Sequence, residues 1–253
     1  MDSLTACFED FLLKEDIGWE KSSGGLYIFP GKGLSVELVP LGGSAAYVAD
    51  GRKYLYEDVW WRREELVRKR LLAHLGRFRS VFARKCEVCR LDTPAAGAFL
   101  SQYHTYGSAR SKYRYGLSYR GELVAVASFS GARPMMREKS VQSFEWVRYA
   151  SLPDTRVVGG MGKLMMAFVE DICPEEIMSY SDLEWSDGEV YRKLGFEEAG
   201  RRASVDFYID SSSWERIPLN KLSSDKAFRD RALDPGTLVR ISNMGSVKYL
   251  RRF

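Results

Sequence analysis

The segment from Arg156 to Lys163 combines two cations with three closely spaced glycines, where a strand pattern gives way to a helical one. Glycine lets the backbone approach a ligand closely, and the first amides of a helix have no partner within the helix. Together with the helix dipole they suit a pyrophosphate group. The alternative is a tight connection that binds nothing. We predict a phosphate-binding turn formed by Arg156, Val158, Gly159, Gly160, Gly162 and Lys163.

A second candidate binding surface is the basic stretch from Arg62 to Lys85, which holds nine Lys or Arg against two acids. Clustered positive charge on a helix attracts a nucleic-acid backbone, so we predict contacts from Arg68, Lys69 and Arg70. The alternative is a solvated helix face. Trp60 and Trp61 lie beside this helix, where they either stack on exposed bases or pack against the core.

The four cysteines are too few for a disulfide scaffold in 253 residues and fit a reducing cytosol. Cys86 and Cys89 form a single CxxC without a second ligand pair, so we interpret them as strand residues and expect no metal. No apolar run approaches the roughly 18 residues of a membrane helix, and the acidic N-terminus differs from a signal peptide. We therefore expect a cytoplasmic protein without membrane partners.

The elements that must position these residues follow from hydrophobic patterning in a chain that is 45% apolar, a composition typical of a buried core. Residues 1–59 predict short strands between glycine turns, one of them at 45–49, with a hairpin at Asp50-Gly51. Residues 60–76 predict a helix.

From residue 81 the pattern predicts the order β-α-β-β-β-α-β-α-β, which indicates a mixed α/β sheet. Residues 81–92 predict one strand, and Thr93 with Pro94 predicts an N-cap and the first helical residue. Arg120-Gly121 predicts a hairpin. Residues 202–210 predict one strand, and 211–253 are polar and irregular, with a strand at 237–241 and a turn after it.

Arg156, Gly159 and Gly160, together with the YRKLGF run at Tyr191–Phe196, resemble the GNAT acetyltransferase superfamily over about residues 82–210. In that family an R/Q-x-x-G-x-G/A turn holds the pyrophosphate of coenzyme A. The resemblance implies a GNAT-like mixed central sheet with helices on both faces, and acetyl-CoA or a related acyl-CoA as donor. Met161 stands where the family has Gly or Ala.

A narrower resemblance concerns the Mom family of phage DNA-modification proteins, GNAT-like proteins that modify the exocyclic amine of adenine. The matching segments occur in the family's order, and they are Tyr103-His104, residues 115–129, Glu145–Arg148, Ser179–Asp182 and Gly188 with Tyr191. Residues 53–88 and 238–250 also resemble a phage GNAT-like domain found behind homing-endonuclease-type nuclease domains. These resemblances imply DNA as a partner, contacted by Tyr103, Arg148, Ser179 and Tyr180.

The implied reaction needs a base for the attacking amine and an acid for the leaving thiolate. Glu145 is the first candidate base and Asp182 the second. Tyr191 stands where GNAT enzymes place the acid. His104, one of two histidines, is a further candidate because imidazole titrates near neutral pH.

Structural alternatives stay open for each of these residues. Glu145 can pair with Arg148 or Arg156, Asp182 can cap a turn before Trp185, and Tyr191 can be a packing residue. A lone histidine is more often structural than catalytic.

We therefore predict a small N-terminal α+β region with a basic helix at 1–80 and a GNAT-like domain at 81–253. The predicted function is CoA-dependent acyl or group transfer to nucleic acid, in the manner of Mom. The alternatives are N-acetylation of a small amine or protein lysine, and a non-catalytic nucleic-acid-binding module, which the irregular Met161 favours.

Overall fold

The computed structural model describes residues 3–137, 139–219 and 236–253. The chain divides into two compact units, each assembled from separated segments. The first comprises Met1–Arg68, Asp182–Asp187 and Arg201–Val247, and the second comprises Lys69–Ser181, Gly188–Gly200 and Lys248–Phe253. The boundary predicted at residue 80 stays a prediction about independent folding.

The helices and strands of the described residues are, in chain order, α1 (Leu4–Lys14), β1 (Glu20–Lys21), β2 (Tyr27–Phe29), β3 (Leu34–Val39), β4 (Lys53–Tyr56), α2 (Glu57–His74), β5 (Arg79–Phe82), β6 (Glu87–Arg90), α3 (Thr93–Tyr103), β7 (Tyr113–Tyr119), β8 (Glu122–Phe129), β9 (Arg133–Met136), β10 (Ser140–Ser151), β11 (Thr155–Val158), α4 (Gly160–Ile172), β12 (Glu176–Asp182), α5 (Glu189–Lys193), β13 (Glu197–Arg202), β14 (Asp206–Asp210), β15 (Arg216–Pro218), β16 (Leu238–Ser242) and β17 (Ser246–Arg252).

The central sheet has eight strands in the order β13-β17-β12-β10-β8-β7-β6, with β9 paired to β10. The pairs β6–β7, β7–β8 and β8–β10 are antiparallel, whereas β10 and β12 run parallel. A parallel pair needs a crossover, which α4 supplies between β10 and β12. The sheet is therefore mixed, as the sequence predicts.

Helices cover both faces of this sheet. Successive strand residues point to opposite faces, so each face carries apolar side chains that a helix buries. On one face Phe99 and Leu100 of α3 pack with Val126 of β8. On the other, Phe168 of α4 stacks on Phe129, with ring centroids 4.1 Å apart and an interplanar angle of 6°. The predicted fold class, a mixed central sheet with helices on both faces plus a small β-rich N-terminal region, is confirmed.

The first unit holds a four-stranded sheet, β1-β2-β3-β4, and a three-stranded sheet, β15-β14-β16. Its N-terminal core is aromatic: Phe8 and Phe11 of α1 meet Trp60 of α2 edge-on, at centroid distances of 5.9 and 6.0 Å. Helix α2, predicted over 60–76, starts earlier and is kinked at Arg63, whose φ of -137° is not helical.

Several predictions for the N-terminal region are wrong. Residues 4–14 form α1, an 11-residue helix whose N-cap Ser3 accepts a hydrogen bond from the Ala6 amide. The Asp50-Gly51 hairpin is absent, because β3 and β4 pair in parallel. The strand predicted at 45–49 is absent: these residues belong to a loop, in which the Val48 amide donates to the Tyr54 hydroxyl.

Smaller corrections apply further along the chain. The strand predicted over 81–92 is broken by a 3-10 turn at Ala83–Lys85. The N-cap of α3 is Asp92, whose carboxylate accepts the Ala95 amide, one residue before the predicted cap. The predicted strand at 202–210 begins only at β14, and Ser246–Arg252 adds a strand that the sequence did not indicate. Among the described residues, no helix is long and apolar enough to cross a bilayer.

Candidate active site

The N-terminus of α4 carries the predicted phosphate-binding turn. Strand β11 pairs in parallel with β5 and leads to Gly159, which is left-handed at φ 78°. The first helical hydrogen bond runs from the Lys163 amide to the Gly159 carbonyl at 3.0 Å, and no described side chain caps the helix. The amides of Gly160, Met161 and Gly162 therefore have no partner within the helix.

Two glycines of this turn lie in close packing contacts. A Cβ on Gly160 would lie 2.8 Å from the Tyr149 hydroxyl and 3.0 Å from Val157. A Cβ on Gly162 would lie 3.2 Å from the Leu194 side chain. Hence the glycines bring α4 close to β10 and to the chain after α5, besides leaving its amides uncovered.

The two cations predicted for the turn hold protein groups. The Lys163 ammonium donates to the carbonyls of Ala83 and Cys86, at 3.1 and 2.6 Å, and so fixes the 3-10 turn. The Arg156 guanidinium lies 4.0 Å from the Phe78 ring centroid. Their contribution to cofactor binding, like that of Val158, stays a prediction.

Strands β10 and β12 separate in the middle of the sheet. Their ladder ends at the pair Glu145 and Met178, and β10 has a bulge between Trp146 and Arg148. Just past the last pair, the Ser179 hydroxyl donates to the Trp146 carbonyl at 3.0 Å. A bulge with a terminated ladder is a frequent device next to active sites.

Tyr191 lies at this separation. Its hydroxyl is 2.9 Å from that of Ser179, and its ring stacks on Tyr249 with centroids 5.1 Å apart. Residues Ser179 and Tyr191 are thus brought together, as members of one hydroxyl pair beside the Trp146 carbonyl. The packing and the chemical interpretations of Tyr191 are both compatible with this position.

Glu145 is the last β10 residue paired with β12, and 24% of its side chain is exposed. Its amide and carbonyl bond to the Ser130 hydroxyl and amide, both at 2.9 Å, which anchors its backbone. Its carboxylate lies 3.7 Å from Arg133 of β9. In the described residues the ion pair is therefore with Arg133, not with the two arginines that the sequence suggested.

The other candidate bases have structural bonds. His104 Nδ1 accepts the Tyr106 amide at 3.1 Å, and the Asp182 carboxylate accepts the Trp185 amide at 2.8 Å. Asp182 thus caps the turn before Trp185, which is the structural alternative given for it. Asp182 belongs to the first unit and His104 to the second. Their catalytic roles stay predictions.

The residues predicted to contact substrate are placed differently from one another. Tyr103 packs edge-on against Phe99 at 4.8 Å, and Tyr180 is half-buried on β12. Arg148 donates to the Gly107 carbonyl at 3.2 Å, and its burial lowers the pKa of its guanidinium. Arg148 therefore joins the bulge to the loop after α3.

The basic helix has fewer exposed cations than its sequence suggests. Arg68 pairs with Glu64 and lies over the Trp60 ring at 5.4 Å. Trp60 is fully buried, so it packs in the core and does not stack on bases. The Arg70 guanidinium donates to the Thr105 hydroxyl at 3.3 Å. The nucleic-acid role of Arg68, Lys69 and Arg70 stays a prediction.

Cys86 is buried just before β6, and its Sγ donates to the Phe82 carbonyl, while Cys89 lies on β6. Within the described ranges, no group of three or more His, Cys, Asp or Glu side chains is arranged to hold a metal.

Two residues at this site were missed from the sequence. Arg133 reaches Glu145 across the β9–β10 pairing, and Tyr149 reaches the α4 N-terminus from β10. Neither belongs to a recognisable motif, and only the strand pairing brings them to the site.

No family model matches the chain, and no curated protein matches it. Among solved structures it is similar to Eis1 from Mycobacterium abscessus, with 16% identity and a TM-score of 0.39, over 49% of this chain and 34% of that one. The chain thus spans about a third of Eis1.

It is also similar to a GNAT family acetyltransferase from Elizabethkingia anophelis with acetyl-CoA bound, with 12% identity and a TM-score of 0.39, over 67% and 99% of the chains. A third similar structure is the ribosomal-protein-S18-alanine N-acetyltransferase from Escherichia coli, with 12% identity and a TM-score of 0.38, over 66% and 93%. At such scores these likenesses carry no argument about activity, cofactor or substrate.

Proposed function

We propose that this protein is an acyltransferase that uses an acyl-CoA donor, acetyl-CoA or a close relative, and an amine acceptor. The observation that carries the proposal is the uncapped N-terminus of α4, together with the separation of β10 and β12 past Glu145. The GNAT resemblance of residues 156–163 and 191–196 supports it.

The residues present fit such a donor in two respects. The amides of Gly160, Met161 and Gly162 form an N-terminal anion site that no described side chain fills. The ladder of β10 and β12 ends at the pair Glu145 and Met178, so the two strands separate beyond it, where the carbonyls of Trp146 and Val147 accept side-chain hydrogen bonds. When bound, acyl-CoA supplies the thioester carbonyl that the amine attacks.

Glu145 accepts the proton that the amine loses as its nitrogen bonds to the acyl carbon. Tyr191 donates its hydroxyl proton to the sulfur as the carbon–sulfur bond breaks. The Ser179 hydroxyl, 2.9 Å away, holds the Tyr191 hydroxyl in place. The Arg133 guanidinium, 3.7 Å from the Glu145 carboxylate, holds that carboxylate beside the bulge.

For the acceptor we propose an amine on nucleic acid. The Arg133 guanidinium, 61% of whose side chain is exposed, lies 3.7 Å from the Glu145 carboxylate. Positive charge beside the base favours an acceptor that carries phosphates.

Titration calorimetry with acetyl-CoA tests the donor. We expect saturable binding by the full chain, and we expect the Glu145→Gln variant to bind equally well but to release thiol at least about a hundredfold more slowly. The matched control is Glu197→Gln, which changes an exposed carboxylate on β13. A wild-type chain that does not bind CoA overturns the proposal and favours a non-catalytic module.

Thiol release with single-stranded DNA, a polyamine or a lysine peptide as acceptor tests the second half. We expect turnover with DNA, and mass spectrometry of the recovered nucleosides should show an added acyl group. Turnover with the polyamine or peptide alone would instead establish a small-amine or protein N-acetyltransferase.

A further inference from the structure

Tyr149 of β10 reaches the uncapped N-terminus of α4. Its hydroxyl lies so close to Gly160 that a Cβ there would be 2.8 Å away. Its ring also meets Trp146 edge-on, with centroids 6.3 Å apart, so the side chain is held between the bulge and the helix. Tyr149 thus has a fixed orientation toward the turn.

The hydroxyl of Tyr149 has no hydrogen-bond partner in residues 3–137, 139–219 and 236–253, although the side chain is at least half-buried. The hydroxyl does not belong to the fully buried unpartnered side-chain atoms, so a ligand or water can reach it, and polar groups without a protein partner usually meet one of the two. Burial raises the pKa of Tyr149, so its hydroxyl remains protonated and able to donate near neutral pH.

The cations that the sequence assigned to this turn are not beside that hydroxyl. Lys163 is bonded to the carbonyls of Ala83 and Cys86, and Arg156 lies against Phe78. In contrast to these two cations, the Tyr149 hydroxyl directly faces Gly160.

We propose that the Tyr149 hydroxyl is a phosphate-binding group of the donor site, donating a hydrogen bond to the same phosphate that the Gly160–Gly162 amides bind. This inference rests on the proposed function, because it assigns a phosphate carrier to the turn. It names a residue outside the glycine-rich motif and explains why Gly160 has no side chain: the hydroxyl occupies that space.

The test compares the wild-type chain with Tyr149→Phe, using CoA and inorganic pyrophosphate as ligands. Calorimetry should show CoA binding weakened about tenfold, as expected for a lost hydrogen bond to a charged group. Pyrophosphate should displace CoA from the variant with an inhibition constant raised by a similar factor. The melting temperature should stay close to wild type, which separates a loss of binding from a loss of folding.

Tyr208→Phe on β14 is the matched control, and it should change neither constant. If wild type binds CoA and Tyr149→Phe binds it equally well, the role of Tyr149 is overturned while the acyltransferase proposal stands. Weaker CoA binding without weaker pyrophosphate binding would place the hydroxyl on another part of the donor. No CoA binding by wild type would overturn the proposed function itself.

Discussion

Glu184, Asp58 and Arg216 form a buried charge cluster in the first unit. The guanidinium contacts both carboxylates, at 2.6 Å from Asp58 and 3.4 Å from Glu184, and each carboxylate side chain is 3% exposed. One cation thus faces two buried acids, and its closer partner is Asp58. Burial, opposed by Arg216 and aided by Asp182 and Asp58, raises the pKa of Glu184 from 4.5 to about 7.

This cluster predicts that stability falls as the pH rises. A carboxyl with a raised pKa in the folded state binds a proton more tightly there than in the unfolded chain, so its stabilisation is complete below pH 4.5 and lost as the pH passes about 7. The loss is on the order of 3 kcal/mol. Urea unfolding from pH 5 to 8 should show this fall in the free energy of unfolding for wild type. Glu184→Gln should show a flatter dependence on pH. A slope equal to that of wild type in the variant would contradict this assignment, and Glu197→Gln is the control.

The hydroxyl pair of Tyr191 and Ser179 predicts an effect on turnover rather than on binding. Tyr191→Phe removes the proton donor to the leaving thiolate, so kcat should fall about a hundredfold while the Kd for CoA changes little. Ser179→Ala should lower kcat less, because it only releases the Tyr191 hydroxyl and the Trp146 carbonyl. Ser181→Ala, at another buried serine of β12, is the control. An unchanged kcat in Tyr191→Phe would leave Tyr191 as a packing residue.

At the scale of elements, two helical glycines predict opposite effects of alanine. In Gly160→Ala the new Cβ must displace the Tyr149 hydroxyl and Val157, both within 3.0 Å, so unfolding should become easier by about 1–3 kcal/mol. Gly97 of α3 has only the Ser108 hydroxyl nearby, at 3.9 Å. Gly97→Ala should therefore stabilise by up to about 1 kcal/mol through helix propensity. Melting curves should show a lower melting temperature for Gly160→Ala and a slightly higher one for Gly97→Ala. Equal shifts in the two variants would contradict the difference in packing.

Elements with a local signal could be predicted from the sequence. Arg120-Gly121 forms the hairpin turn as expected, because both residues adopt positive φ, at 53° and 82°. The Asp50-Gly51 signal failed because β3 pairs with β4 in parallel, which no local turn determines. Helix α1 was missed because its apolar positions, Leu4, Phe8, Phe11 and Leu12, lie in a segment considered only for strands.

The site was predictable only where motif and element coincide. The glycine turn, Glu145, Ser179 and Tyr191 lie on predicted elements, and the structure brings Ser179 and Tyr191 together. The partners of these residues depend on strand pairing. Arg133 reaches Glu145 because β9 folds back on β10, and Lys163 turns to carbonyls of a 3-10 turn that interrupts a predicted strand.

At the scale of the molecule, both compact units are built from segments far apart in sequence. The first unit combines residues 1–68 with 182–187 and 201–247, and its contacts show the mixing: the Tyr54 amide donates to the Glu184 carbonyl, and the Tyr56 hydroxyl to the Ser242 carbonyl. In the second unit β5, at the predicted boundary, pairs with β11 directly before the α4 turn.

This arrangement predicts that the fragment 81–253 does not fold as an independent domain. The cut divides β5, so β11 loses part of its only described ladder partner. It also removes Asp58 from the buried charge cluster, so Arg216 loses the closer of its two acidic partners. Circular dichroism should show a broad, weakly cooperative melt for the fragment and a sharp one for the full chain. A cooperative melt of the fragment within a few degrees of the full chain, together with retained CoA binding, would instead establish the boundary at residue 80.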